Sequence, residues 1–147
     1  MKKHRHLALA CAVVVPLVGF ASTAWAASEV KGAAILDHPC GKASVKQMGL
    51  VHAGKMEEAN KLTTKEMQEQ WKAMPEKDRT MMGGMMKDMS QTEAAYSAAI
   101  KANGVLVVDG ANATLTVKKT AADKSGSSIE TTTQKFKVDG NQCLISR

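Results

Sequence analysis

The hydrophobic pattern of this chain changes period once, near Val105, and no other feature limits its fold as strongly. Ahead of that point apolar residues recur at helical spacing. Beyond it they alternate with polar ones, as in strands with one buried face. VLVV, the turn residues DGAN and then ATLTVKKT, with Ala113, Leu115 and Val117 set against Thr114, Thr116 and Lys118, read as a hairpin. The polar loop AADKSGSS leads into SIETTTQKFKVD, where Phe136 and Val138 share a face, and Asp139-Gly140 turns the chain into a closing strand, QCLISR. Four strands in succession without long crossovers specify an antiparallel meander with the helices packed on one face, an α+β fold.

The helical half divides at its own breaks. Val45, Met48 and Val51 place a helix over 42–53, and after HAGK the stretch MEEANKL continues as a short one. In TTKEMQEQWKAMPEKDR, Thr63 and Glu66 have the spacing of a capping box, and Met67, Trp71 and Met74 fall on one face. Pro75 suits a first helical position and breaks a helix interior. Ser90 with Glu93 repeats the capping spacing ahead of a helix through Ala94, Ala95, Ala98 and Ile100, which Asn103 and Gly104 end.

The first 26 residues open on Lys2, Lys3 and Arg5, run apolar from Leu7 to Phe20 and close on Ala24 and Ala26 flanking Trp25. That is the layout of a secretory signal peptide cut after Ala26. Its apolar run of about 14 residues, interrupted by Pro16, is shorter than the roughly 20 that span a bilayer, so a periplasmic or secreted product without a transmembrane helix is expected. Cys11, in LALAC, gives a loose likeness to a lipoprotein signal, but it stands at the start of the apolar run instead of its end. Cleavage removes three basic residues and no acidic ones, leaving 17 Lys and Arg against 14 Asp and Glu and a net charge of +3. With no basic stripe interleaved with aromatics, nucleic acid is not an expected partner. The remaining 121 or so residues suffice for one domain, taken as 37–147 behind a flexible segment, 27–36. Cys40 and Cys143 form an even pair in an oxidising compartment, for which a disulfide is expected; the alternative is two buried thiols that never meet.

The G-K-M-E-E-A break between helices, then V-D-G-A-N-A-T-L-T-V, a polar loop, and K-F-K-V-D-G-N-Q-C-L-I at the end resemble the small cone-shaped domains of the nuclear transport factor 2-like (SnoaL-like) superfamily, particularly its exported bacterial members, over roughly Asp37 to Arg147. The resemblance implies that the four-stranded sheet is curved and wraps the N-terminal helices, leaving a pocket between. It implies no activity, because the superfamily holds isomerases, dehydratases and non-catalytic binding modules alike. Many relatives carry a tryptophan after the last turn. Here Cys143 takes the comparable apolar place, as a cysteine tying the last strand to the first helix would.

The one stretch with a chemical look is MMGGMMKDM, which sets Met81, Met82, Met85, Met86 and Met89 on one broad helical stripe. Thioether sulfur is a soft ligand that favours Cu(I), and it is equally a flexible apolar filler. Met67 and Met74 show methionine used where leucine would serve, so the stripe is expected to fill a core or line a pocket. The candidate ligand-pocket residues are therefore Met67, Trp71, Met82, Met85, Met86 and Tyr96. The alternative is a Cu(I) site of Met81, Met82, Met85, Met86 and Met89 with His52. Gly83 and Gly84 each cost about 1 kcal/mol against alanine in a helix interior, so they mark either close packing or a hinge that makes the stripe a mobile lid. No nucleophile elbow, phosphate loop or Cys/His zinc spacing occurs. For His38 and His52 no accompanying set of catalytic groups can be placed from the sequence, which ranks a catalytic base last. Lys118, Lys119, Lys135 and Lys137 give the long strands a basic outer face, ordinarily just solvated surface. The expectation is a non-catalytic exported domain without a cofactor, binding a small apolar molecule or an envelope protein, with a homodimer through the sheet left open.

Overall fold

β1 (Ser28–Lys31) and a 3-10 turn (Gly32–Leu36) precede five helices and four further strands in a computed structural model that describes residues 27–123 and 126–147. Residues 1–26, the expected leader with its Cys11, and Lys124 and Ser125 of the AADKSGSS stretch lie outside the described residues. The helices are α1 (Pro39–His52), α2 (Met56–Asn60), α3 (Lys65–Ala73), α4 (Glu76–Met89) and α5 (Glu93–Asn103). The remaining strands are β2 (Gly104–Asp109), β3 (Asn112–Asp123), β4 (Gly126–Asp139) and β5 (Gln142–Ser146). All pairs are antiparallel in the order β1-β2-β3-β4-β5, so the α+β class and the meander hold, with one strand more than expected.

The extra strand corrects the reading of 27–36 as flexible. Val30 pairs with Leu106 across the β1–β2 ladder, and Ile35, in the turn that follows, is fully buried. Two anchoring residues so close together are too few to show a period, yet they dock the segment on the core. The expected polar loop is also mostly ladder, since Ala121, Ala122 and Asp123 pair with Ser128, Ser127 and Gly126. Both Asp-Gly turns form as expected. Gly110 and Gly140 each take φ +56, a left-handed conformation that costs other residues about 1–2 kcal/mol.

Strand alternation builds the core. Leu106, Leu115 and Gln134 stand in one cross-strand row, and Ala113, Phe136 and Ile145 in the next. Against this face pack α1 and α5, which contribute Cys40, Tyr96 and Ile100. Gln134 is the polar member of these rows. Lys118, Lys135 and Lys137 project from the opposite face; Lys119 shares the parity of Val117 but is exposed beyond the helices.

Cys40 and Cys143 are joined in a disulfide that ties the start of α1 to β5, with Cα atoms 4.9 Å apart and a sequence separation of 103. Such a bridge fits an oxidising compartment. At the free edge of the sheet, Thr64 N–H donates to the Ile145 carbonyl (2.8 Å) and Ile145 N–H to that of Leu62 (2.9 Å), so the chain entering α3 covers part of β5.

Neither expected capping box forms. Thr64, not Thr63, precedes α3, and the Thr63 hydroxyl donates to the Asn60 carbonyl (2.7 Å) instead. Thr63 is drawn away because it bridges to Ile145. At α5 the cap is Thr92, whose Oγ1 accepts from Ala95 N–H (3.2 Å), while the Ser90 hydroxyl closes α4 by donating to the Lys87 carbonyl (2.6 Å). Among the described residues no helix is long and apolar enough to cross a membrane.

Candidate functional site

Helical spacing on α3 turns Met67, Gln70, Trp71 and Met74 to one side, and that side faces a cavity of about 170 Å³. Opposite stand Gln47 and Val51 of α1, with Met56, Ala59 and Asn60 of α2. Met82 and Met86 of α4 complete the apolar wall, and Thr63 and Arg147 border it on the sheet side. The cavity thus lies among the helices, not between helices and sheet, because α1 and α5 already cover the inner face of the strands. Trp71 also borders an adjoining cleft, where its Nε1–H donates to the Glu57 carboxylate at 3.0 Å.

Met67, Trp71, Met82 and Met86 therefore meet as expected, but Met85 and Tyr96 do not join them. Tyr96 is 2% exposed in the core beneath α1. Its hydroxyl lies 3.1 Å from Ser44 Oγ. Burial raises the pKa of the phenol above its usual 10, and the Ser44 hydrogen bond opposes that shift. The Ser44 hydroxyl donates in turn to Gln134 Oε1, and Gln134 Nε2 donates to Gln47 Oε1 at 2.7 Å. A chain of polar contacts thus runs from the core to the cavity wall. Among the described residues no buried side-chain polar atom is left without a partner.

Of the two expected roles for the methionine stripe, filling a core or lining a pocket, the first does not hold, because all five side chains are exposed. Met81, Met85 and Met89 are 62%, 59% and 82% exposed, and Met82 and Met86 are 40% and 39% exposed at the cavity rim. The reason is the way α4 docks. Gly83 is its buried residue, and a Cβ there would lie 3.2 Å from Met56 Cγ. Gly83 thus serves close packing, whereas a Cβ on Gly84 would meet nothing within 4 Å. With a glycine at the contact, the five methionines fan out around it. Met81, Met85 and Met89 share a surface groove with Asp78, Met74, Met82 and Met86, the last three also belonging to the cavity.

Neither histidine borders the cavity or the groove. His52 is exposed at the end of α1, with Nδ1 3.3 Å from Ser90 Oγ, and does not line the groove of the methionines with which it was grouped. His38 caps α1 by accepting from Cys40 N–H at Nδ1 (3.2 Å), and partial burial lowers its pKa from 6.5. Ligand atoms of His38, Cys40 and Cys143 lie within 4.8 Å of one another. Both sulfurs are held in the disulfide, so no thiolate is offered to a metal there.

Gln47, Met56, Asn60, Thr63 and Arg147 are among the lining residues that sequence reasoning missed. Met56 was within reach, since MEEANKL carries Met56 and Ala59 at helical spacing. The others come together only through tertiary packing. Comparison with protein-family models, with curated proteins and with solved structures finds no match.

Proposed function

We propose that this chain is a non-catalytic, exported domain that holds a small apolar molecule, or an apolar segment of an envelope protein, in the methionine-lined cavity among α1 to α4. One observation carries the reading: Met56, Met67, Met74, Met82, Met86 and Trp71 converge on a space of about 170 Å³. An apolar cavity of about 150 Å³ is known to take up benzene, so the space suits a compact group or a short hydrocarbon tail. Methionine walls adapt to the outline of what they hold. Among the described residues the cavity lining includes no Asp, Glu, His, Cys or Tyr, the groups that most often supply a general acid, base or nucleophile. Export to the periplasm or beyond rests on the leader sequence and accords with the disulfide. Membership of the nuclear transport factor 2-like superfamily is part of the same proposal, supported by helices on one face of an antiparallel meander.

Native mass spectrometry of protein purified from its own cell envelope tests the reading. The expected result is a bound small molecule or partner that Met82→Glu expels. Protein that is always bare would contradict it.

A second reading, a Cu(I)-binding protein, is favoured by a different observation. Six thioethers, of Met74, Met81, Met82, Met85, Met86 and Met89, line one surface groove. Soft sulfur ligands gathered on one face are what Cu(I) selects. The test is an anaerobic Cu(I) titration against a competing chelator, in which Met81→Leu, Met85→Leu and Met89→Leu together weaken binding at least tenfold. An unchanged affinity removes copper from consideration.

A further inference from the structure

The polar side of the cavity says what kind of molecule the apolar side holds, and the inference rests on the cavity reading above. We propose that the ligand is a single-tailed amphiphile with an anionic, hydrogen-bond-accepting head such as a carboxylate. Arg147 and the Gln47 amide grip the head, and the tail lies among the methionines.

In the core, the Tyr96 hydroxyl is held 3.1 Å from Ser44 Oγ. The Ser44 hydroxyl has one proton and directs it at Gln134 Oε1. Towards Tyr96 it therefore accepts, and the phenol donates. With its oxygen so engaged, the Gln134 amide presents its NH2 to Gln47 Oε1 at 2.7 Å. Gln47 thus turns its oxygen inward, where one lone pair is taken, and keeps its NH2 group to donate; turning that amide over would set two NH2 groups against each other. The direction of the whole chain is thus fixed from the core outwards, and it ends in donors. Burial keeps the Tyr96 phenol protonated through the physiological range, so the first donor of the chain is permanent.

The charge on the wall points the same way. Among the described residues Arg147 is the one with a charged side chain in the cavity lining, and its guanidinium offers donors alone. Neither ion pair found among the described residues, Lys31–Glu29 or Lys55–Glu58, involves it. Glu57 takes the Trp71 indole N–H, but it lies in the adjoining cleft and not in the cavity. Thr63 directs its hydroxyl at the Asn60 carbonyl, so that hydrogen is already committed. A purely apolar ligand would displace water from the Gln47 and Arg147 donors and give nothing back, which is costly. An amine head would meet like charge. An anionic acceptor satisfies both donors with charge-assisted bonds.

Isothermal titration calorimetry of the exported protein with octanoate, octan-1-ol and octylamine tests the inference. The expected order is octanoate at least roughly tenfold tighter than octan-1-ol, with octylamine weakest. Arg147→Met, at an exposed position, should abolish most of the octanoate preference and leave octan-1-ol binding within about twofold. Gln47→Glu, which puts an acceptor where the donor stood, should weaken octanoate again. If octanoate and octan-1-ol bind alike, if octylamine binds best, or if Arg147→Met changes nothing, the head-group inference is overturned while the apolar cavity stands. If none of the three binds, the cavity reading falls and the inference with it.

Discussion

Ser44, Tyr96 and His38 carry the most specific consequences of single side chains. Ser44 is 1% exposed and satisfies both Tyr96 and Gln134, so Ser44→Ala strands a buried phenol and an amide oxygen at once. A loss of about 1–3 kcal/mol is expected in urea denaturation, against about 1 kcal/mol for Tyr96→Phe, which leaves Ser44 its acceptor. His38 supplies a pH prediction. Its ring is harder to protonate in the folded protein than at the ordinary value of 6.5, so its contribution to stability is complete above pH 6.5 and declines as pH falls through the lowered folded value. Protonation of Nδ1 would also remove the acceptor for Cys40 N–H. His38→Asn keeps a capping oxygen that does not titrate, and should flatten the fall in urea midpoint below pH 6.5. At this scale little was legible in sequence. Tyr96 was assigned to the pocket because an aromatic on a helix has two possible neighbours, and only the packing of α1 over α5 decides between them.

Among the elements, α4 is loosely held. Its buried contact is Gly83 on Met56, and its methionines face solvent or the cavity rim. Amide hydrogen exchange should therefore be faster in 80–88 than in β2, β3 and the central part of β4. The two glycines should differ. Gly84→Ala removes a flexible helix position into open space, and is expected to raise stability by about 0.5–1 kcal/mol. Gly83→Ala should gain less or lose, because its new methyl meets Met56. Element types were mostly readable from period and turn chemistry: Val105 onwards alternates, and both Asp-Gly pairs became turns. The misses have physical causes. β1 is too short to show alternation, Thr63 was claimed by Ile145 before it could cap α3, and a glycine contact put a whole apolar stripe outside. Periodicity locates a hydrophobic face but does not say what covers it.

For the molecule as a whole, the disulfide and the cavity govern behaviour. The bridge joins residues 103 apart, and the chain-entropy account gives about 4–5 kcal/mol of stabilisation for a loop of that size. Cys40→Ala with Cys143→Ala should lose about that much in urea denaturation, with α1 and β5 the elements most affected. The cysteine pairing was open to reasoning from compartment and count. The position of the cavity was not, since Arg147 meets Gln47 and Met86 only after the chain has folded. The methionines themselves offer the most direct test of the central claim that an apolar ligand occupies the space among α1 to α4. In protein labelled with 13C at the methionine methyls, octanoate should shift the signals of Met56, Met67, Met74, Met82 and Met86 and leave those of Met81, Met85 and Met89 nearly unmoved. Shifts confined to Met81, Met85 and Met89, or no shifts at all, would contradict it.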